Sequence, residues 1–340
     1  MFVYPESTGL MPVLSESPVK TSLTSGLTRR KVISGTASLV TLASFGGRSA
    51  SARQASPTAA GTRTIETIHG PVEIPANPQR VVAITYIAAI AVAELGLMPT
   101  GVTRWIPDLP PSFPDLSEIT MIENEAYELD LEAVAALKPD LIIGADALVA
   151  ANQNVPYDQL TRIAPTALFE WGSGGSNWEV QAAGCAEALG KTAEFAALRA
   201  VYDEKAAEIK TAYADVLSAM TVDFIDAGDS EWFLHGPAST HCKVAIEAGV
   251  SLGAGANQEE TFTGFSFEQL NMLEDTGALI TRGGALPSLD TLNALPNFQA
   301  LPAVAGGRVL SSGYFYVASY AQANALLIEL EGGLKALTGL

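Results

Sequence analysis

Imidazole, thiol and positive charge are all scarce in this sequence, which has three histidines, two cysteines and 19 basic residues against 37 acidic ones in 340. So few imidazoles argue against bare capture of zinc or manganese, which normally draws on several histidines together with carboxylates. The formal net charge of −18 repels nucleic acid and anionic lipid headgroups, so neither is expected as a partner. Catalytic signatures are missing too. There is no G-x-S-x-G elbow, no G-x-x-x-x-G-K-[ST] loop and no G-x-G-x-x-G between a strand and a helix. Serine and aspartate are plentiful, but no histidine stands in a recognisable nucleophile–base context, so no catalytic residue is assigned and no enzyme activity is expected.

The scarce residues have bland readings of their own. His235, His241 and Cys242 in HGPASTHC are spaced so that a metal site is conceivable. A strand end followed by a loop capping the next helix accounts for the same residues, and no metal ligand is assigned. Cys185 and Cys242 could pair in an oxidising compartment, but Cys185 sits mid-helix among alanines, as a small buried residue would.

A long apolar run is lacking as well. Arg29-Arg30 opens an uncharged stretch, Val32 to Gly47, that is too short to cross a membrane comfortably and closes on Ala50-Ser51-Ala52. This pattern is expected to be an export signal over residues 1–52. Thr28–Ile33 (TRRKVI) resembles the twin-arginine signal, although Val32 stands where an aromatic is usual. No cysteine follows the run to carry a lipid anchor. Cleavage near Ala52 would leave 288 residues with 14 basic and 35 acidic side chains.

Residues 53–63 read as a flexible start to the mature chain. Short Val/Ile-rich strands then alternate with helical patterns over 64–175, and again over 191–340. That alternation predicts two α/β lobes with mainly parallel sheets. The helical stretch 176–190 is their one evident connection, stiffer than a Gly/Ser linker, with a ligand cleft expected between the lobes. One unit is written twice. DLEAVAALKPDLIIGA (130–145) and SFEQLNMLEDTGALITRG (266–283) run in step when Glu132 is set on Glu268, each a short helix followed by a strand.

In open α/β sheets the C-terminal strand ends face the ligand. Tyr86, Trp105, Trp171, Trp178, Trp232, Tyr314 and Tyr316 fall at strand ends or in loops, as do Arg104 and Arg282, one arginine per lobe. Together they predict a cleft for a large, rigid, amphipathic ligand of modest negative charge or none.

VEIPANPQRVVAI, DLEAVAALKPDLIIGA, YDQLTRIAPTALF, WFLHGPAST, VAIEAGV, FSFEQLNMLEDTGALI and LPNFQALPAVAGGRVL resemble, in that order, the extracytoplasmic binding proteins of ABC importers for ferric siderophores, haem and cobalamin. The likeness covers 64–338. It implies two Rossmann-like lobes on a single rigid backbone helix, a shallow cleft, and little closure on binding. It also implies a cargo that arrives as a pre-formed Fe(III)–siderophore complex, so that the protein needs neither cofactor nor metal ligand of its own. Glu132 and Glu268 match the acidic residues that dock such proteins onto the two permease subunits. A monomer is implied that meets the membrane only through the permease. A siderophore of hydroxamate or mixed type is favoured. Haem, with Tyr86, Tyr314, Tyr316 or His235 as an axial ligand, or cobalamin is the alternative within the family, and an exported hydrolase acting on siderophores is the alternative from another class.

Overall fold

The computed structural model describes residues 61–103, 105–124, 128–147, 155–172, 177–256, 259–283 and 288–338. The expected export signal and Arg104 lie outside the described residues.

The described chain starts as a hairpin. β1 (Thr62–Thr67) and β2 (Gly70–Pro75) pair antiparallel, from Thr62 opposite Pro75 to Thr67 opposite Gly70. Gly70, at φ 89°, takes the left-handed conformation that closes the turn. Alternation along the ribbon buries Ile65 and Ile74. Thr62 and Arg63, read from sequence as part of a flexible start, are strand residues with partners.

The first lobe is a parallel sheet in the order β5-β4-β3-β6-β7. Its elements in chain order are β3 (Val81–Ala83), α1 (Tyr86–Glu94), β4 (Gly101–Val102), β5 (Thr120–Met121), α2 (Leu131–Ala136), β6 (Leu141–Ala145), α3 (Tyr157–Leu160) and β7 (Thr166–Phe169). Helix α1 is apolar on all sides because it is enclosed on all sides, lying between β3, β6 and the connecting helix. Thr85 caps it, its Oγ1 accepting from Ala88 N at 3.3 Å. Helix α2 is capped by Asp130 and stops at Lys138, which takes the left-handed conformation (φ 49°). The Arg80 guanidinium then donates to the carbonyls of Leu137 and Lys138 left free at that end.

The connector is α4 (Trp178–Leu189), ended by Gly190 at φ 69°. Its backbone lies hard against the first lobe. A Cβ placed on Gly184 would meet Phe169 ring carbons at 2.4–2.5 Å. Gly184→Ala is therefore expected to cost about 1–3 kcal/mol by overpacking, whereas the same change at an exposed helical glycine would stabilise by about 0.4–1 kcal/mol. Urea denaturation of the two proteins checks this.

Helices α5 (Thr192–Ala212) and α6 (Ala214–Ala219) lead into the second lobe. It comprises β8 (Val222–Ala227), β9 (Trp232–His235), α7 (Thr240–Glu247), β10 (Phe262–Phe265), a 3-10 turn over Phe267–Leu273, and β11 (Ala278–Arg282). There follow α8 (Ser288–Asn293), α9 (Pro296–Gln299), α10 (Pro302–Ala305), β12 (Val309–Ser312) and α11 (Tyr320–Thr338). The sheet order is β10-β9-β8-β11-β12. It repeats the first lobe's order strand for strand, with one change of sense. β9 runs antiparallel to both β8 and β10, so this sheet is parallel in all strands but one. The cause is local: Gly228 N bonds Glu231 O at 2.9 Å, and so tight a turn can only return the chain alongside itself.

Each lobe has its own small core on one face of its sheet, and a third, larger apolar cluster runs through α1, α4, α5, α7 and α11 from one lobe into the other. Cys185 and Cys242 are buried free thiols within that shared core, both pushed up by burial, Cys242 to about 12.

Candidate functional site

Tyr86 begins α1 just beyond β3 and is 4% exposed. Its ring lies edge-on to Trp105, beyond β4, at 4.7 Å between centroids, and to Trp171, beyond β7, at 5.8 Å. Trp105 is also edge-on to Tyr316 of the second lobe at 5.5 Å, so the aromatic surface crosses from lobe to lobe. Asp146, just past β6, accepts from Trp171 N at 2.9 Å and fixes the backbone that carries that ring. Trp105, Trp171 and Tyr316 remain partly exposed, with Tyr86 as the floor beneath them.

From the second lobe, Arg282 at the end of β11 donates from Nη1 to Tyr316 Oη at 3.3 Å. From Nη2 it pairs with Asp226 Oδ2 at 3.1 Å, while its Nε is buried without a hydrogen-bond partner. Burial raises the phenols of both Tyr86 and Tyr316; for Tyr316 this outweighs the opposing pull of Arg282. Both hydroxyls stay protonated at neutral pH and can donate. Tyr314 is half-buried, its backbone held by Ser312 Oγ at 3.1 Å. Burial raises its phenol too, with Glu329 and Asp108 adding to the effect.

Two of the expected cleft residues lie elsewhere. Trp178 is 3% exposed at the start of the connecting helix, edge-on to Tyr320 at 5.1 Å. Trp232 is fully buried in the second lobe's own core, stacked on Phe265 at 5.1 Å with Nε1 donating to Ser266 O at 3.0 Å. Neither ring is open to a ligand. The strand-end rule misplaces Trp232 because, although it pairs with Ala227 at the cleft end of the sheet, it lies on the face that Ile225, Ala227 and Leu234 turn into the lobe's own core, and Trp178 because it opens a helix. Asp226 was missed; its signal was a carboxylate one residue before the end of a strand, VDFIDA, that is buried throughout.

His235 and His241 lie behind this wall, their rings 4.5 Å apart, with Phe315 against both. Burial holds both imidazoles neutral, lowering His235 well below its ordinary value and His241 to about 3. His241 Nδ1 bonds the Phe315 carbonyl, while neither nitrogen of His235 has a hydrogen-bond partner. Among the described residues no group of three or more potential ligands is placed to hold a metal ion.

Glu132 and Glu268 are exposed, each the second residue after a cap, Asp130 and Ser266 respectively. Each follows the outermost strand of its lobe, β5 or β10, at the end from which the cleft residues project.

Two α/β lobes on one connecting helix, with an aromatic surface spanning the gap between them, define a two-lobed ligand-binding protein. The chain belongs to the family described as periplasmic binding protein, whose model matches residues 81–312. Its members work outside the cytoplasm and bind rather than transform their ligands; among the described residues, no helix is long and apolar enough to cross a membrane. The probable siderophore-binding lipoprotein YfiY of Bacillus subtilis (strain 168) is 34% identical over 159 residues, 45% of this chain. The matched segment spans about half of that relative, 46% of its length. The iron(3+)-hydroxamate-binding protein FhuD of Escherichia coli (strain K12) is 25% identical over 255 residues, covering 68% of this chain and 78% of its own. Among solved structures, the siderophore periplasmic binding protein from the fuscachelin gene cluster of Thermobifida fusca superposes with a TM-score of 0.66 at 28% identity, covering 77% of this chain and 98% of that one.

Proposed function

We propose that this protein binds a ferric siderophore, of hydroxamate or mixed type, outside the cytoplasmic membrane and delivers it to an ABC permease. The observation that carries the reading is the aromatic surface shared by the lobes. Tyr86, Trp105 and Trp171 from one side and Tyr316 from the other suit the organic shell of a coordinatively saturated iron complex. Such a cargo asks for rings and neutral donors rather than metal ligands. The names of the relatives support the class, and that of the Escherichia coli relative supports a hydroxamate. Haem is less well served, because His235 is 4% exposed and the Tyr316 oxygen is engaged by Arg282. In this reading the protein is a monomer, exported through the twin-arginine-like leader with cleavage near Ala52, and docks through Glu132 and Glu268.

Tryptophan fluorescence of the purified chain from Arg53 onward, titrated with ferric hydroxamates, ferric catecholates, haem and cobalamin, tests the reading. Saturable quenching by ferric hydroxamates, weaker with the iron-free ligand, is expected. Trp105→Ala should weaken binding by about 2 kcal/mol, roughly 30-fold, as loss of a central aromatic anchor does. Quenching by haem or cobalamin alone would overturn the assignment of cargo.

A further inference from the structure

Asp226 is an unusual residue to find under a cleft for an iron complex. It is 6% exposed, inside the strand β8, with Oδ2 paired to Arg282 at 3.1 Å and Oδ1 accepting from Ala227 N at 2.7 Å. An arginine offered to an anionic ligand needs no such partner. A buried guanidinium–carboxylate pair gains little for the fold beyond what it costs to desolvate, so stability is a weak reason for it to be there. The effect on the cleft is plain. Arg282 keeps its geometry and its hydrogen bond to Tyr316, but its charge is cancelled at the wall that Tyr316 presents. Among the described residues, other charges nearby are acidic. Asp108 acts on Tyr314, Asp146 holds Trp171, and Asp229 lies exposed in the turn that follows β8.

We infer that Asp226 is a specificity-determining residue: by neutralising Arg282 it makes the cleft favour uncharged or cationic ferric complexes and reject polyanionic ones. The inference rests on the siderophore reading above and adds to it the residue that selects the charge class. A tris-hydroxamate complex of iron(III) carries no charge from its three bidentate groups, whereas a tris-catecholate carries three negative charges. In a cleft of low effective dielectric, one uncompensated positive charge more or less acts on the second far more than on the first.

The test uses two probes, ferrioxamine B, a linear ferric tris-hydroxamate with a pendant ammonium, and ferric enterobactin, a ferric tris-catecholate. Both are titrated against the mature wild type, Asp226→Asn and Arg282→Gln, at low salt and at about 0.5 M salt. The wild type should prefer ferrioxamine B. Asp226→Asn frees the arginine's charge and should move the ratio of the two dissociation constants at least about tenfold toward ferric enterobactin. Arg282→Gln removes the positive charge while Asp226 stays and should move the ratio the other way. Both shifts should shrink at high salt, which a mere displacement of side chains would not produce. Equal weakening of both probes in either variant, or a shift of the same sign in both, overturns the inference while leaving the siderophore reading intact. Should Asp226→Asn fail to fold, the sign of the Arg282→Gln shift decides. If neither probe nor any other ferric siderophore binds the wild type, the functional reading fails and the inference with it.

Discussion

Changing Glu132 and Glu268 together to arginine is expected to abolish uptake of the ferric cargo by cells. The Kd of the purified protein should stay within about twofold, on the order of 0.4 kcal/mol. The reasoning starts from the helix ends. In the first lobe Asp130 Oδ1 accepts from Glu132 N at 2.9 Å and from Ala133 N at 3.0 Å. In the second, Ser266 and Gln269 form a reciprocal cap. The caps are thus complete without the glutamate carboxylates. Glu268 is held more acidic than usual by its own backbone N–H and by Ser266. Arginine in either first turn meets an unfavourable helix dipole, a cost of about 0.3–1 kcal/mol that the fold can bear. A partner presenting basic pockets to both positions would instead meet two reversed charges, and like charges set face to face cost several kcal/mol. Radioactive iron uptake paired with fluorescence titration separates the two effects. If the purified double variant lost its ligand, the two glutamates would belong to the cleft and the docking role would fall.

That prediction could be framed from the sequence because the helix-to-strand unit is spelled in local chemistry at both places: a cap, a glutamate, a leucine, a stop, then an aliphatic strand. The strands β6, β9 and β11 were equally plain, being short and largely apolar runs between turn signals. The hairpin of β1 and β2 was not legible, since TRTIETIHGPVEIP buries only Ile65 and Ile74 deeply and otherwise looks polar. β10 was missed because FTGF carries a glycine and takes its strand character from pairing with β9. Within the site, rings at the ends of parallel strands were found by position alone. The face of β9 that carries Trp232 could not be, and it turns that ring into the core. Asp226 escaped because its meaning lies in Arg282, 56 residues away, and no local pattern joins the two.

Tyr320→Ala is expected to cost about 3–5 kcal/mol, more than any other single change proposed for the fold. Its ring is fully buried among Trp178, Phe195 and Tyr202, at centroid distances of 5.1, 5.4 and 5.5 Å. Its hydroxyl donates to Glu179 of the connecting helix at 2.9 Å, a bond whose loss alone, in Tyr320→Phe, should cost only about 1 kcal/mol. The residue also opens α11, and there the lobes meet a second time. Glu94, the last residue of α1 in the first lobe, accepts from Ala321 N at 2.7 Å and Tyr320 N at 3.3 Å. Gln322 Nε2 donates to Asp108 O at 2.8 Å. Burial raises the Glu94 carboxyl from 4.5 to about 7, outweighing the two N–H donors that favour its charge. A carboxyl raised on folding takes up a proton as the chain folds. Its contribution is therefore fully present below about pH 4.5 and is lost as the pH climbs through about 7. Relative to Glu94→Gln, which cannot titrate, the wild type should lose about 2–3 kcal/mol between pH 5 and pH 8. The protein's large negative charge is nearly common to both chains and largely cancels in that difference. Urea denaturation of the two proteins at both pH values measures it, and parallel profiles would show that Glu94 carries no proton at this junction. Because Tyr316 stands only four residues before Tyr320, loosening the clamp should also loosen the wall that faces Trp105. Tyr320→Ala is accordingly expected to weaken ligand binding as well as the fold.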